Sequence, residues 1–167
     1  MRRFFITVAL IAGPAVAGFC QFQFGPQVGL DFNNSDLYVG ANAVFNLPWE
    51  LNEHGLQGNP EVNFYFLDSV PGYTENYTLI ALNALYPLDL EFVNAYLGGG
   101  LLIGLDNVKD RNGPNPRNFH NTDIGLNTKF GVDFAKEDSK IIPWGEIGLH
   151  IKDGSGLWLQ GGARFVL

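Results

Sequence analysis

Alternation of apolar residues with polar residues or glycine is the feature that most constrains this chain. After residue 20 it recurs in eight runs, and no segment there keeps a helical period over three turns. In the sixth run, for example, Ile124 and Leu126 alternate with Gly125 and Asn127. Successive side chains of a β-strand point to opposite faces, so each run predicts a strand with one apolar and one polar face. The runs cover residues 22–32, 37–45, 61–66, 76–86, 93–103, 124–134, 146–151 and 159–167.

Eight amphipathic strands fit two kinds of antiparallel barrel, which differ in the face that points inward. A soluble, lipocalin-like barrel turns its apolar face inward and needs a strongly charged exterior, whereas a transmembrane barrel turns the apolar face to lipid. Only 16% of the residues are charged, and the polar face consists mainly of Gly, Asn, Gln and Tyr. No charged residue falls on the apolar face of any run. The pattern favours an all-β, eight-stranded, up-and-down transmembrane barrel whose polar lumen is filled by side chains, and the soluble barrel is the alternative.

The first twenty residues have the pattern of a secretory signal peptide. Arg2 and Arg3 precede a short apolar run, and small-residue cleavage sites follow Ala17 and Cys20. We therefore predict a signal peptide over residues 1–20, cleaved after Ala17 or Cys20, and a barrel domain over residues 21–167. Cys20 is the only cysteine, which excludes a disulfide framework. The formal charge of −7 argues against binding to nucleic acid.

The strand ends predict an orientation for the barrel. If the amino terminus is periplasmic, aromatic residues of the apolar face gather at the periplasmic ends of the strands, as an interfacial girdle would. Surface loops are then expected near residues 33–35, 69–74, 106–121 and 153–155, the third being the longest. The connection 46–59 would be an unusually long periplasmic turn. The residues of the predicted girdle are Phe22, Phe45, Tyr86, Phe134 and Phe165.

The last eight residues carry a second sorting pattern. Gln160 is followed two positions later by Gly162, and Phe165 and Leu167 occupy the third-last and last positions. This spacing resembles the carboxy-terminal β-signal that the outer-membrane barrel assembly machinery reads, although a terminal Phe is commoner than Leu. We predict that these four residues form an assembly signal.

The chain resembles the small eight-stranded outer-membrane β-barrel proteins of the OmpA/OmpX type from Gram-negative bacteria. The resemblance covers most of the chain after the signal peptide and implies the fold and an outer-membrane location, without catalytic residues or cofactors. It rests on Phe24-Gly25-Pro26-Gln27-Val28-Gly29, Ala95-Tyr96-Leu97-Gly98-Gly99-Gly100, Thr122-Asp123-Ile124-Gly125-Leu126-Asn127, Gly131-Val132-Asp133-Phe134 and Gly162-Ala163-Arg164-Phe165.

A charged cluster is predicted inside the barrel. Short turns between the last three strands suggest a register in which Lys129 lies opposite Glu146, while Glu146 lies opposite Gly162 and diagonal to Arg164. All three charged residues share the inward face, where pairing is expected. We assign them a structural role in the lumen, and expect loss of Glu146 alone to cost roughly 3–5 kcal/mol by leaving two cations unpaired.

Signals for chemistry are weak. His120 and Thr122 loosely resemble part of the His-Ser-Glu set of outer-membrane lipid A deacylases, with Glu146 as the carboxylate of the neighbouring strand, but Thr122 replaces the nucleophilic serine. Segment 106–121 is rich in Asp and Asn, yet its Pro and Gly content is typical of a solvated loop. We expect no metal and no cofactor.

Two functions remain open at this point. The first is a non-enzymatic outer-membrane protein with a structural or surface-interaction role through its extracellular loops. The alternative is a lipid-modifying enzyme or a binder of small apolar ligands. The expected partners are outer-membrane lipids, lipopolysaccharide and, during biogenesis, the barrel assembly machinery, with no nucleic acid and a monomeric state.

Overall fold

A computed structural model describes residues 22–33, 35–67, 73–90, 93–110, 117–134, 139–152 and 155–167. The signal peptide and its cleavage sites therefore lie outside the described residues, as do most of the predicted loops at 69–74 and 153–155. The described residues form eight strands: β1 Phe22–Asp31, β2 Asp36–Leu51, β3 His54–Phe66, β4 Tyr73–Leu90, β5 Val93–Asp110, β6 Arg117–Asp133, β7 Ile141–Ile151 and β8 Gly156–Val166.

The strands form a closed, all-antiparallel barrel. Each strand pairs with its neighbour in the sequence, and β8 pairs with β1 to complete the ring. The predicted all-β, up-and-down, eight-stranded fold is thus confirmed. Within the described segments there is no helix of the length and apolarity that crossing a membrane as a helix requires. We call the end of the barrel at which β1 begins the turn end, and the opposite end the loop end.

The barrel is apolar outside and polar inside, as the alternation predicts. Ile124, Val28 and Leu37 point outward and are 74%, 62% and 61% exposed. The inward face contains charged and amide side chains that are almost completely buried, among them Glu146 and Lys129. Side chains fill the lumen, because an eight-stranded barrel leaves little more room than they occupy.

Among the described residues, the lumen contains two apolar clusters. Tyr38, Tyr65, Leu79, Ala81 and Leu102 pack together in the loop-end half, and Val44, Leu85 and Tyr96 pack in the turn-end half.

Glycines make room for the aromatic rings of these clusters. A Cβ on Gly29 would overlap the ring of Tyr38, and a Cβ on Gly131 would overlap the ring of Tyr96. Glycine on the inward face is therefore the partner of a large ring, which lets bulky residues occupy a narrow lumen.

The connection 46–59 is a β-hairpin rather than a long turn, so this part of the prediction is wrong. β2 and β3 continue to a two-residue turn at Asn52 and Glu53, whose φ angles are 50° and 69°. The register shifts between Asn46 and Glu50, where β2 contains extra residues. The apolar alternation continues through the bulge at Leu47, Trp49 and Leu51, whereas Pro48 and Asn52 are residues typical of turns.

The predicted loop 106–121 is also mostly strand. β5 continues to Asp110 and β6 begins at Arg117, and residues 111–116 lie outside the described part of the chain. Pairing of β6 with β5 reaches Arg117, whereas pairing of β6 with β7 stops at Leu126. Together with the start of β4, these segments form a three-stranded sheet that extends past the ends of β7 and β8. We call it the projecting sheet.

Candidate functional site

Long charged side chains enter the middle of the lumen from four strands. Glu61 comes from β3, Lys129 from β6, Glu146 from β7 and Arg164 from β8, and each is at most 5% exposed. They enter the same space because all four occupy the inward positions of their strands. We call them, with their hydrogen-bond partners, the lumenal network.

Lys129 has two carboxylate partners. Its Nζ contacts Oε1 of Glu61 and lies 3.1 Å from Oε2 of Glu146, and it also donates to the Asn59 side chain. Gly98 and Gly148 are its cross-strand neighbours on β5 and β7. The Lys129 side chain lies over Gly98, where a Cβ would approach its Cγ to 2.9 Å, and extends across the lumen to reach β3.

Glu146 connects the two cations. Its Oε1 lies 3.3 Å from Nη2 of Arg164 and accepts a hydrogen bond from the Tyr96 hydroxyl at 2.7 Å. Its Oε2 faces Lys129 and accepts a 2.5 Å hydrogen bond from Nε2 of Gln160. Charge and hydrogen bonding are both satisfied, which a buried carboxylate requires.

Arg164 occupies the turn-end side of the network. Its Nη1 donates to Oδ1 of Asp133 at 3.0 Å, its Nε donates to Oδ1 of Asn42 at 3.1 Å, and its guanidinium lies 4.4 Å from the ring centroid of Trp144. Asp133 is thus a third carboxylate of the network. In the described lumen the network contains three carboxylates and two cations.

The structure brings the predicted trio Lys129, Glu146 and Arg164 together, but through a different register. Glu146 faces Gly131 on β6 and Gln160 on β8, and Lys129 faces Gly148. The predicted pairings of Lys129 with Glu146 and of Glu146 with Gly162 are therefore wrong, each by two residues. A shift of two keeps every side chain on its face, so the inward set is unchanged.

Glu61 and Asp133 are network residues that the sequence prediction missed. Both lie on inward positions of predicted strands, so their place in the lumen could be deduced. Their partners could not be deduced, because the strands involved are not neighbours in the sheet: Glu61 on β3 contacts Lys129 on β6 across the lumen. Asp133 meets Arg164 from β6 to β8 in the same way.

The predicted girdle residues lie on the outer surface near the turn end. Phe22 and Phe45 are cross-strand partners, and Phe165 packs 6.1 Å from Phe24. Tyr86 packs edge-on against His54 at 5.4 Å. Phe134, which follows β6 directly, is 67% exposed. Their position is compatible with a membrane interface, and this role stays a prediction.

The residues of the predicted assembly signal divide between the two faces of β8. Gln160 belongs to the lumenal network, and Gly162 faces the lumen, where a Cβ would overlap the backbone of Pro26. Phe165 and Leu167 point outward and are 41% and 78% exposed. The structure thus gives Gln160 and Gly162 roles in barrel packing, and recognition by an assembly machinery stays a prediction.

The three residues considered for deacylase chemistry do not meet. His120 and Thr122 are exposed on the projecting sheet, whereas Glu146 is 2% exposed and engaged in the lumenal network. A base and its orienting carboxylate must be within hydrogen-bond distance, so these three form no triad. Among the described residues no group of three or more potential ligands is arranged to hold a metal ion.

The projecting sheet changes character where it leaves the barrel. Along β6 the outward positions change from Leu126 and Ile124 to Thr122 and His120, which are also exposed. Its inward positions carry acidic residues at the mouth of the loop end. There, desolvation and the neighbouring charge of Asp106 raise the pKa of Glu75.

One edge of the projecting sheet is open. Residues 117–125 of β6 pair with β5 on one side and with no described strand on the other. Backbone N–H and C=O groups along such an edge can pair with an added strand.

The chain has the fold of the small eight-stranded outer-membrane β-barrels of the OmpA/OmpX type. The N-terminal β-barrel domain of OprF from Pseudomonas aeruginosa matches with a TM-score of 0.61 at 13% identity, over 88% of this chain and 97% of that one. Ail, the attachment invasion locus protein of Yersinia pestis, in complex with the heparin analogue sucrose octasulfate, matches with 0.61 at 17% identity, over 87% and 97%. Neisserial surface protein A matches with 0.53 at 18% identity, over 87% and 94%.

These similarities concern the fold. No family model matches the sequence, and no curated protein matches it either.

Proposed function

We propose that this protein is a non-enzymatic, integral outer-membrane β-barrel that contacts other molecules at the cell surface through its projecting sheet. The observation that carries the membrane assignment is the apolar exterior. Phe64, Leu82, Leu101 and Leu126 lie on four consecutive strands, and each is 52% exposed. A continuous apolar band around a closed barrel is unfavourable in water and is what a bilayer accommodates.

Export and assembly follow from this proposal. Residues 1–20 act as the signal peptide, and the barrel domain is inserted by the assembly machinery through the pattern that ends at Leu167. The barrel is then a monomer surrounded by outer-membrane lipids and lipopolysaccharide. With the turn end in the periplasm, the projecting sheet stands outside the cell.

The surface role depends on the open edge of β6. An extended polypeptide segment can add to such an edge through main-chain hydrogen bonds, with side chains setting specificity. We therefore propose an extended protein segment as the partner. A polyanion such as the heparin analogue bound by Ail is not expected here, because Glu75, Asp106 and Asp123 give this end of the barrel a negative charge.

Fractionation and heat-modifiability test the membrane assignment. The protein should fractionate with the outer membrane and shift its band on a gel after boiling. Trypsin added to intact cells should cut at Arg111, in the connection between β5 and β6. Recovery in a soluble fraction would overturn the assignment, and cleavage only after the outer membrane is opened would reverse the orientation.

Proline substitutions at two neighbouring edge positions test the surface role. Consecutive N–H groups of a strand point to opposite edges, so Asn121→Pro and Thr122→Pro differ in which edge loses a donor. The variant whose proline removes the N–H group that donates to β5 should lose stability. The other variant should fold normally but lack one backbone N–H donor at the open edge of β6. A displayed library of extended peptides is selected on the wild-type protein in nanodiscs. The selected peptides should lose binding to the well-folded proline variant, and unchanged binding would contradict strand addition.

A further inference from the structure

A cavity of about 250 Å³ opens at the turn end of the barrel. Its wall is mostly polar and is formed partly by Gln23, Gln57 and Asp133. Leu88 and Ile142 give it an apolar side, and Tyr96, whose hydroxyl donates to Glu146, also lines it. The proposed surface role uses the opposite end of the barrel and leaves this cavity without an assigned function.

Asp133 gives the cavity a negative wall. It is the carboxylate of the lumenal network that reaches this space, and its side chain is 20% exposed, whereas those of Glu61 and Glu146 are 3% and 0% exposed. Its one cationic partner in the described lumen, Arg164, is shared with Glu146. Two carboxylates thus share one guanidinium, and the negative charge of Asp133 is only partly compensated.

A second acceptor lines the same space. Oε1 of Gln23 is buried and has no hydrogen-bond partner among the described residues. A buried acceptor without a partner is costly and is normally satisfied by water or a ligand. Gln57, whose Nε2 donates to Asn46 at 3.4 Å, also lines this space.

We propose that this cavity is a binding site for a small organic ammonium compound. The ammonium group donates to Oδ2 of Asp133 and to Oε1 of Gln23, since an ammonium carries several donors and no acceptor. Its alkyl chain lies against Leu88 and Ile142. A neutral alcohol of the same length would keep the apolar contact and lose the charge-assisted hydrogen bond.

Titration with n-butylammonium, and with n-butanol as the matched neutral probe, tests the proposal. The purified protein in detergent micelles is observed by NMR at the side-chain amide signals of Gln23, Gln57 and Asn94. Butylammonium should give saturable shifts at these signals, and butanol should bind at least about tenfold more weakly, as expected for loss of a hydrogen bond to a charged group. Non-saturable shifts, or equal shifts with both probes, would overturn the proposal.

Two variants and a control locate the site. Asp133→Asn should weaken butylammonium binding about tenfold or more. Gln23→Leu leaves the lumenal network untouched and should weaken it several-fold, so it decides the matter if Asp133→Asn disturbs folding. Asp123→Asn removes the same charge from the loop end and should leave binding unchanged. Equal weakening by Asp123→Asn would mean that only the overall negative charge attracts the probe.

Discussion

Replacing Glu61 and Glu146 singly and together tests whether the lumenal network holds the barrel together. In Glu146→Gln each cation keeps a carboxylate, because Lys129 retains Glu61 and Arg164 retains Asp133. This differs from the sequence-based expectation, in which loss of Glu146 left both cations unpaired.

The magnitude follows from the contacts. Glu146→Gln weakens two contacts with cations and two hydrogen bonds from neutral donors, Tyr96 and Gln160. A hydrogen bond to a charged group is worth about 1.5–3 kcal/mol, and the glutamine oxygen keeps part of it. The substitution also relieves the repulsion between Glu61 and Glu146, which both approach Lys129. We therefore expect each single variant to lower the free energy of unfolding by about 1–2 kcal/mol. In the double variant Lys129 is buried without any carboxylate, and removal of its last partner should cost a further roughly 3–5 kcal/mol.

Urea unfolding in lipid bilayers measures these values. The fluorescence of Trp144 and Trp158, both buried in the lumen, reports whether the barrel is intact. The double variant should lose about 1–4 kcal/mol more than the sum of the two single variants. Glu50→Gln, an exposed position on the β2–β3 hairpin, is the control and should change stability by less than about 0.5 kcal/mol. Strict additivity would refute the idea that Lys129 is shared by the two carboxylates.

Three further predictions follow from the packing of the barrel. Gly131→Ala should lower the free energy of unfolding by about 1–3 kcal/mol, because the new Cβ overlaps the Tyr96 ring. Gly99→Ala is the control and should not destabilise the protein, because the nearest neighbour of its Cβ would be 3.4 Å away. An equal loss of stability in both variants would contradict the packing argument. Glu53 has a positive φ in the two-residue turn with Asn52, so Glu53→Gly should relieve strain and raise the free energy of unfolding by up to about 1 kcal/mol. A lower free energy of unfolding in this variant would contradict the turn geometry. The protein should give no stable conductance in planar bilayers, because side chains fill an eight-stranded lumen, and a reproducible step of porin size would refute this.

The fold could be predicted from the sequence because lipid and lumen impose opposite polarities on alternate residues. Each run inside the apolar band reports its strand and its faces, as Ile124 and Lys129 do for β6. The signal disappears in the projecting sheet, where outward positions such as Thr122 and His120 are polar although pairing continues. For this reason residues 106–110 and 117–121 read as a loop. In the β2–β3 hairpin the apolar alternation continues through Leu47, Trp49 and Leu51, but Pro48 and Asn52 are typical of a turn and masked the strand.

The set of lumenal residues could be predicted, but their contacts could not. A register error of two residues leaves every side chain on its face, so the inward position of Glu146 and Arg164 did not depend on the register. Contacts across the barrel, such as that of Lys129 with Glu61, depend on closure of the sheet, and alternation along single strands carries no information about closure.

The glycines of the lumen contain the information that would have corrected the register. In the predicted register Lys129 and Glu146 are direct neighbours, and both must fit side by side on adjacent strands. In the observed register Gly148 faces Lys129 and Gly131 faces Glu146. The rings of Trp158 and Tyr96 occupy the space that side chains at Gly148 and Gly131 would need. Lys129 passes over Gly98 on its way to Glu61, and Glu146 accepts a hydrogen bond from the Tyr96 side chain whose ring lies over Gly131. A register that places the inward glycines Gly131 and Gly148 beneath the rings of Tyr96 and Trp158 is therefore favoured by packing, and that register brings Lys129 and Glu146 to their observed partners.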